Sequence, residues 1–473
     1  MKKQQAENLT TGSVFGNILC FALPYMLSYF LQTLYGMADL FFVGRFHGTD
    51  SITAVSIGSQ VMHMLTVMIV GLAMGSTIGI GRSAGAGRHK KTACYVGNTA
   101  VLFALGSLVL TAVLLLFAGQ VVAVMSTPAE AVEGTFTYLR VCFLGIPFIT
   151  AYNVLSSIFR GLGDAKSPMY FVAVACVCNI GLDYVFIGVF GLGALGAALG
   201  TTLAQAISVL AALAVLVTGS RPCRHGGRRP WQSPLGRLAI GGTGGLGRGK
   251  ESFRLQRDIV GSILKVGIPV AVQDGFIQIA FIVITVIANR RGLQDAAAVG
   301  IVEKFIGILF LVPSSLLSAV SALAAQNLGA RQYRRAHLTL GYAIGLAAGF
   351  GLVASVAVQF AATGILGIFE KNGEVIRLGS EYLRSYVWDC LFAGIHFSFS
   401  GYFCAMERSG ISFLHNALSI VLVRIPVAYL ASWMYVDTLY PMGWAAPLGS
   451  LLSVAVCVWA CFVWKELAPW KQC

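Results

Sequence analysis

The sequence predicts an all-α integral membrane protein with twelve transmembrane helices, arranged as two pseudo-symmetric six-helix lobes around a central cavity. Three observations lead there. Of 473 residues, 57% are apolar and only 11% charged, with a mean hydropathy of +0.77. A soluble globular protein carries about 25% charged residues. Apolar runs recur along the chain, each long enough to cross a hydrocarbon core of roughly 30 Å, for which about 20 helical residues suffice. The second half repeats the first at a nearly constant offset.

The twelve spans fall at 14–44, 51–80, 93–118, 136–161, 167–190, 193–219, 258–289, 296–325, 337–362, 380–406, 411–435 and 443–464. The first is too long for the apolar core of a cleavable signal and lacks a small-residue cleavage pattern. The net charge of +14 invites a nucleic-acid reading, but its location argues for membrane orientation instead. Lys2, Lys3, Arg82, Arg88, Lys90, Lys91, Arg160, Lys166, Arg331, Arg334, Arg335, Arg408, Lys465 and Lys471 all fall on one side. The other side holds Arg45, Arg290, Arg291 and a mixed-sign loop from Glu370 to Arg384. By the positive-inside rule both termini are cytoplasmic, in the inner cell membrane, and no nucleic-acid partner is needed. Eleven cysteines show no CxxC and no Cys/His metal spacing. Those within spans read as small hydrophobes.

The repeat carries the lobe assignment, 1–219 and 258–473. Tyr138-Leu139-Arg140 recurs as Tyr382-Leu383-Arg384, an offset of 244. Gly85-Ala86 matches Gly329-Ala330, Lys90-Lys91 matches Arg334-Arg335, and Ala54-Val55 matches Ala298-Val299 at that offset, while Pro24 matches Pro269 at 245. With six spans per repeat both halves enter from the same side, so the axis relating them runs along the membrane normal. The joint, 220–257, is rich in Gly, Arg and Pro, without apolar period, and reads as a flexible basic cytoplasmic linker. Its Gly244, Gly249 and Lys250 have phosphate-loop spacing, but Glu251 stands where Ser or Thr should ligate magnesium and no strand precedes it.

The first span carries one acid, Asp39, on a seam with Ser28, Gln32 and Tyr35 at i, i+4, i+7 and i+11. An ionisable group inside a membrane span is a functional-site hypothesis by default, against the blander reading of a polar seam that glues helices together. The fifth span places Asn179 and Asp183 on one face, and counting back from the outer ends puts both acids roughly 8–10 Å below the outer boundary. Two carboxylates sharing a site cannot both stay ionised cheaply, so one takes a proton or a cation sits between them. Carboxylate, Asn and Thr oxygens suit a proton or a small hard cation such as sodium, and Thr201, Thr202 and Gln205 offer more. The expected coupling-ion set is Asp39, Asn179, Asp183 and Thr201, with Asp39, Asn179 and Asp183 as sodium ligands if sodium binds. Asn179 alone reads equally as an interhelical hydrogen bond.

Cavity-lining candidates are Gln32, Tyr35, Gln60, His63, Met64, Tyr152, Asn153 and Gln205; His63 reads as structural rather than as a proton carrier. The second half is less coherent: Asp274, Glu303, Lys304, Asp389 and Arg424 fall within spans, with Asp274 and Asp389 as ion-site candidates. Arg424 reads as an internal ion-pair partner of Asp389 or Asp274. Val423 and Val427 stand where Asn179 and Asp183 map, so the acidic seam is not duplicated.

With these residues in place the chain resembles multidrug and toxic-compound extrusion (MATE) transporters. The likeness rests on Pro24…Gln32…Ala38-Asp39…Val43-Gly44, Arg160-Gly-x-Gly-Asp164, Gly85-Ala86, Gln326-x-x-Gly329-Ala330 and Asn179-x-x-x-Asp183. The first-span Asp with fifth-span Asn and Asp resembles the DinF-like branch. The resemblance implies two rocking six-helix lobes and antiport of cationic amphiphilic compounds against H+ or Na+. It implies a proton or sodium site at Asp39, Asn179, Asp183 and Thr201, with no cofactor beyond the coupling ion. The expected partners are organic cations and the lipid bilayer, and the expected working form is a monomer. Two rivals are a lipid-linked precursor flippase of the wider superfamily and a membrane-embedded enzyme. The flippase wants a cationic cavity for pyrophosphate, whereas the first-half seams hold acids and no Lys or Arg. The enzyme wants paired catalytic groups, and none is spaced so; the chain reads as a non-enzyme.

Overall fold

The computed structural model describes residues 9–125, 127–219 and 250–463. Among these the chain is helical with no strand. Ten helices are long and apolar enough to cross a membrane, and one bent pair makes an eleventh. This is a multi-pass membrane protein, as the composition required.

The first half comprises α1 (Val14–Phe46), α2 (Thr49–Gly85), α3 (His89–Leu116), α4 (Ala118–Val124), α5 (Val132–Leu144), α6 (Ile146–Gly161), α7 (Lys166–Asp183) and α8 (Gly193–Gly219). The second comprises α9 (Arg257–Arg291), α10 (Leu293–Leu309), α11 (Leu311–Gly329), α12 (Tyr333–Phe369), α13 (Gly373–Tyr386), α14 (Asp389–Ala405), α15 (Ser409–Ser419), α16 (Ile425–Met434), α17 (Tyr440–Gly443) and α18 (Ala445–Val463). The single span read at 136–161 is a broken one. The segment Ala129–Leu144 meets α6 at 49°, with Pro147 in the first turn of α6. Proline there has no N–H to continue the ladder and its ring crowds the preceding turn. The span read at 380–406 is broken at the equivalent place, between α13 and α14.

The repeated residues are core residues. Ala54, Val55 and Leu139 are fully buried with Tyr138 in one cluster, and Ala298, Val299 and Leu383 with Tyr382 in its counterpart. A Cβ on Gly58 would lie 2.3 Å from the Tyr138 ring, so glycine is what lets α2 and α5 meet. The helix ends repeat as well. After α2 and α6, Gly87 (φ 67°) and Gly163 (φ 90°) turn left-handed, and 244 residues later Arg331 (φ 59°) and Glu407 (φ 60°) do the same. At each, the next amide reaches back five residues, as in Arg88 N–H to Ser83 O and Gln332 N–H to Asn327 O. That pattern closes the helix and stops it. The Arg160–Asp164 motif is therefore partly a cap: Gly163 makes the turn and Asp164 Oδ1 accepts from the Lys166 and Ser167 amides that open α7.

The chain divides into two compact units, Leu27–Gly267 and Leu9–Met26 with Ile268 onward. Each half therefore has a first helix that begins in the other unit, and the divisions fall beside Pro24 and Pro269. Within the second unit, Arg335 holds residues 9–12: Nη1 donates to Gly12 O (2.8 Å) and Nη2 to Thr11 O (3.2 Å). Within the first, the end of the linker docks on α3. The Gln256 amide donates to Asn98 Oδ1 (2.7 Å), and a Cβ on Gly97 would lie 2.1 Å from Ser252 O. Residues 220–249, with Gly244 and Gly249 of the phosphate-loop spacing, lie outside the described residues.

Candidate ion-coupling site

In the first unit, α1, α7 and α8 bring four predicted residues together. Asn179 Nδ2 donates to Asp39 Oδ1 (3.1 Å), and Thr201 Oγ1 donates to Asp39 Oδ2 (3.0 Å). The same amide lies 3.5 Å from Asp183 Oδ1 and from Thr201 Oγ1. An amide has only two N–H donors, so the three contacts cannot all be bonds at once; the 3.1 Å one to Asp39 is the best formed. Both carboxyl groups thus lie within 3.5 Å of the one amide nitrogen. Asp39, Asn179 and Asp183 are buried. Among the described residues no Lys or Arg figures among the hydrogen-bond or charge partners of either acid.

Two features shape this pocket. A Cβ on Gly200, next to Thr201 in α8, would lie 2.2 Å from Asp183 Oδ1. Only glycine leaves room for the carboxyl there. Directly after Asp183 the helix widens into a π-helical turn, Tyr184–Val189, a local irregularity frequent at functional sites.

Asp183 Oδ2 and Asn179 Oδ1 are buried with no hydrogen-bond donor. Buried oxygens are normally satisfied, so this pair marks a place for a proton or a cation. Two carboxylates, an amide oxygen and a hydroxyl form a hard, all-oxygen donor set that fits sodium, and two facing carboxyls fit a shared proton. The arrangement can take up one positive charge and release it. Among the described residues no group of three or more His, Cys, Asp or Glu could hold a metal ion; here two carboxylates are joined by amide and hydroxyl oxygens instead.

The remaining predicted residues divide. Gln205 Nε2 lies 3.4 Å from Tyr35 OH, extending the polar seam one turn along. Tyr152 is buried, and Gln32 and Met64 are half-buried. Asn153 donates to Ile149 O of its own helix (2.8 Å), and Gln60 and His63 are exposed on α2 without hydrogen bonds to the acids. In the second unit Asp389 is fully buried and Asp274 half-buried. Among the described residues Arg424 makes no direct ion-pair contact with either acid; its Nη2 donates to Tyr386 OH (2.7 Å). Sequence reasoning missed Gly200, because an absent side chain leaves no mark in an Ala/Gly-rich helix. It also missed the buried, edge-to-face pair His396 and His415, centroids 5.4 Å apart.

The MatE family model matches residues 24–185 and 269–430, two stretches displaced by 245, the offset that relates Pro24 to Pro269. The probable multidrug resistance protein YoeA of Bacillus subtilis is 27% identical over 424 residues, 89% of this chain and 87% of that protein. The probable multidrug resistance protein YpnP of the same organism is 25% identical over 468 residues, 99% and 98% of the two chains. The multidrug export protein MepA of Staphylococcus aureus is 24% identical over 409 residues, 85% and 84%. Among solved structures, the outward-facing conformation of a multidrug resistance MATE family transporter of the MOP superfamily superposes with a TM-score of 0.86 at 21% identity, covering 99% of each chain. A MATE in complex with MaL6 gives 0.85 at 20%, covering 98% of this chain and 99% of that one.

Proposed function

The chain belongs to the MatE family, and we propose that it is a secondary active multidrug efflux antiporter, exporting cationic amphiphilic compounds in exchange for H+ or Na+. The observation that carries this reading is the buried Asp39–Asn179–Asp183–Thr201 cluster, which has two acids and no fixed counter-charge. Relatives named multidrug resistance and multidrug export proteins support multidrug export.

The cycle follows from charge. With both carboxyls ionised and close together, the pocket is unstable in a low-dielectric surround. A proton taken up at Asp39 or Asp183, or a sodium ion held by Asp39, Asn179 Oδ1, Asp183 and Thr201, removes that cost. Loading and unloading therefore bias the protein between two conformations. The shift is limited to the ion's differential affinity for them. An organic cation that binds the unloaded form better is released when the ion loads. Tyr35 and Tyr152 offer aromatic faces for it. In this reading the protein works as a monomer in the cytoplasmic membrane; the distribution of basic helix ends supports both termini lying inside.

Dye efflux from everted vesicles tests this, with proton and sodium gradients imposed separately. Wild type should export under one of them. Asp39→Asn and Asp183→Asn should not, at unchanged expression. Normal export by Asp39→Asn would refute the assignment.

A further inference from the structure

The second unit contains a polar cluster that the first-unit site does not explain. Arg424 closes a π-helical turn, Ile420–Arg424, just before Pro426, which has no N–H to complete an ordinary turn there. Its side chain is 8% exposed. The guanidinium donates to Tyr386 OH at 2.7 Å and lies 4.8 Å from the Phe281 ring centroid. The residues it touches lead to the acids: Tyr386 is three residues before Asp389, and Phe281 is one helical turn from Thr285, which bonds Glu303. Thr285 Oγ1 donates to Glu303 Oε2 (3.3 Å), and Ser400 Oγ bonds His415 Nε2 (2.9 Å). Lys304, beside Glu303, points to the exposed face of α10.

Several buried polar atoms of this cluster have no hydrogen-bond partner: Arg424 Nε, both Asp389 carboxylate oxygens, Glu303 Oε1, and Nδ1 of His396 and His415. An open N–H donor and open carboxylate oxygens are groups that water satisfies, accepting from one and donating to the other. The guanidinium is thus buried in the same polar cluster as the acids with no direct ion-pair contact to either among the described residues. At the repeat offset Arg424, Asp389 and Glu303 correspond to Ile180, Gly145 and Ser59. Among the described residues, the Asp39–Asp183 cluster thus has two acids and no built-in cation, and the Asp389–Glu303 cluster has two acids and Arg424.

We propose that Arg424 is a tethered cation occupying the second unit's ion position permanently, so that only the Asp39–Asp183 site exchanges an ion during transport. Guanidinium is suited to this task because it stays protonated in any surround and is weakly hydrated. The inference rests on the antiport reading for its consequence, while the presence of a fixed charge that excludes a mobile one is measurable without transport.

The test uses the purified full chain in micelles, in the Asp39→Asn background that silences the first site. Two readouts are taken: sodium-22 retained at pH 8.5, and protons released on a jump from pH 5.5 to 8.5 in choline chloride. Adding Arg424→Gln should create a gain of about one sodium or one proton per chain. A further Asp389→Asn should remove the gain, and Arg424→Lys should produce none. No gain of either ion in monodisperse Arg424→Gln protein overturns the proposal. If that variant unfolds, millimolar guanidinium or sodium, but not choline, should restore its monodispersity, and failure of both ions overturns the proposal equally. Because each gain is read against its own background, a first site that proves inactive fails separately, as equal ion uptake by wild type and Asp39→Asn.

Discussion

Asn179 Nδ2 donates to Asp39 Oδ1 at 3.1 Å, a bond between residues 140 positions apart that ties the first helix to α7. In the proposed antiport cycle this amide lies against an acceptor whose charge changes as an ion loads. Asn179→Asp should place a third carboxyl beside two others and Asn179→Ala should leave Asp39 with Thr201 alone. Both variants should lose at least tenfold in gradient-driven dye export, measured in everted vesicles, with near-normal expression.

Gly200 sets the position of Asp183. Gly200→Ala pushes a methyl group to within 2.2 Å of Asp183 Oδ1, so the carboxyl or the α8 backbone must shift. Overpacking of this kind costs about 1–3 kcal/mol. The melting temperature should fall, and the dependence of export on the driving ion should move to higher ion concentration. Gly36→Ala, whose Cβ meets nothing within 4 Å, is the matched control.

Arg331 holds a left-handed conformation at the position where the first half has Gly87. That conformation costs a non-glycine residue roughly 1–2 kcal/mol. Arg331→Gly should therefore raise the melting temperature, with a net gain below that ceiling because glycine also loosens the unfolded chain. Gly87→Arg should lower it.

Much of this architecture is readable from residue order. Span positions follow from apolar length, and the pairing of Asp39 with Asp183 follows from matched depth and helical period. The two acids meet even though Pro24 lies within α1 and a π-helical turn follows Asp183. The amide of Asn153, a cavity candidate from sequence, turns back to Ile149 O, since an i−4 carbonyl is within reach of a short polar side chain. The break between α13 and α14 has no proline to announce it, only an equivalent position in the repeat. Arg424 was legible as a buried charge, but its failure to pair with Asp389 depends on the π turn that aims it at Tyr386.

Arg291 reads from sequence as an outer-side charge, yet its guanidinium is spent on backbone. Nη1 donates to Ser432 O and Tyr435 O, Nη2 to Val436 O and Thr438 O, and Nε to Asp295. It closes the carboxyl end of α16 and the loop beyond. Arg291→Ala should destabilise the protein by about 1–3 kcal/mol, and Arg291→Lys should recover only part because ammonium cannot span four carbonyls. Thermal unfolding of purified protein separates the two.

Glu374 lies at the start of α13, ahead of the span, and Arg377 hydrogen-bonds to it and holds its carboxyl below the usual glutamate range. A depressed carboxyl stabilises above its unfolded pKa, and that contribution disappears as pH falls through the folded value. Hydrogen exchange in residues 372–384, corrected for intrinsic rates, should be flat from pH 8 to pH 5 and rise only below about pH 4. Arg377→Gln should shift the onset upward.

The anchoring of Gln256 by Asn98 has a consequence for how the polypeptide is made. The landing place for the second half is built by a helix already synthesised when residue 250 leaves the ribosome, whereas residues 9–12 must wait for Arg335. Biogenesis therefore has a direction: residues 9–12 are secured late, and shortening the chain before residue 335 removes the guanidinium that holds them.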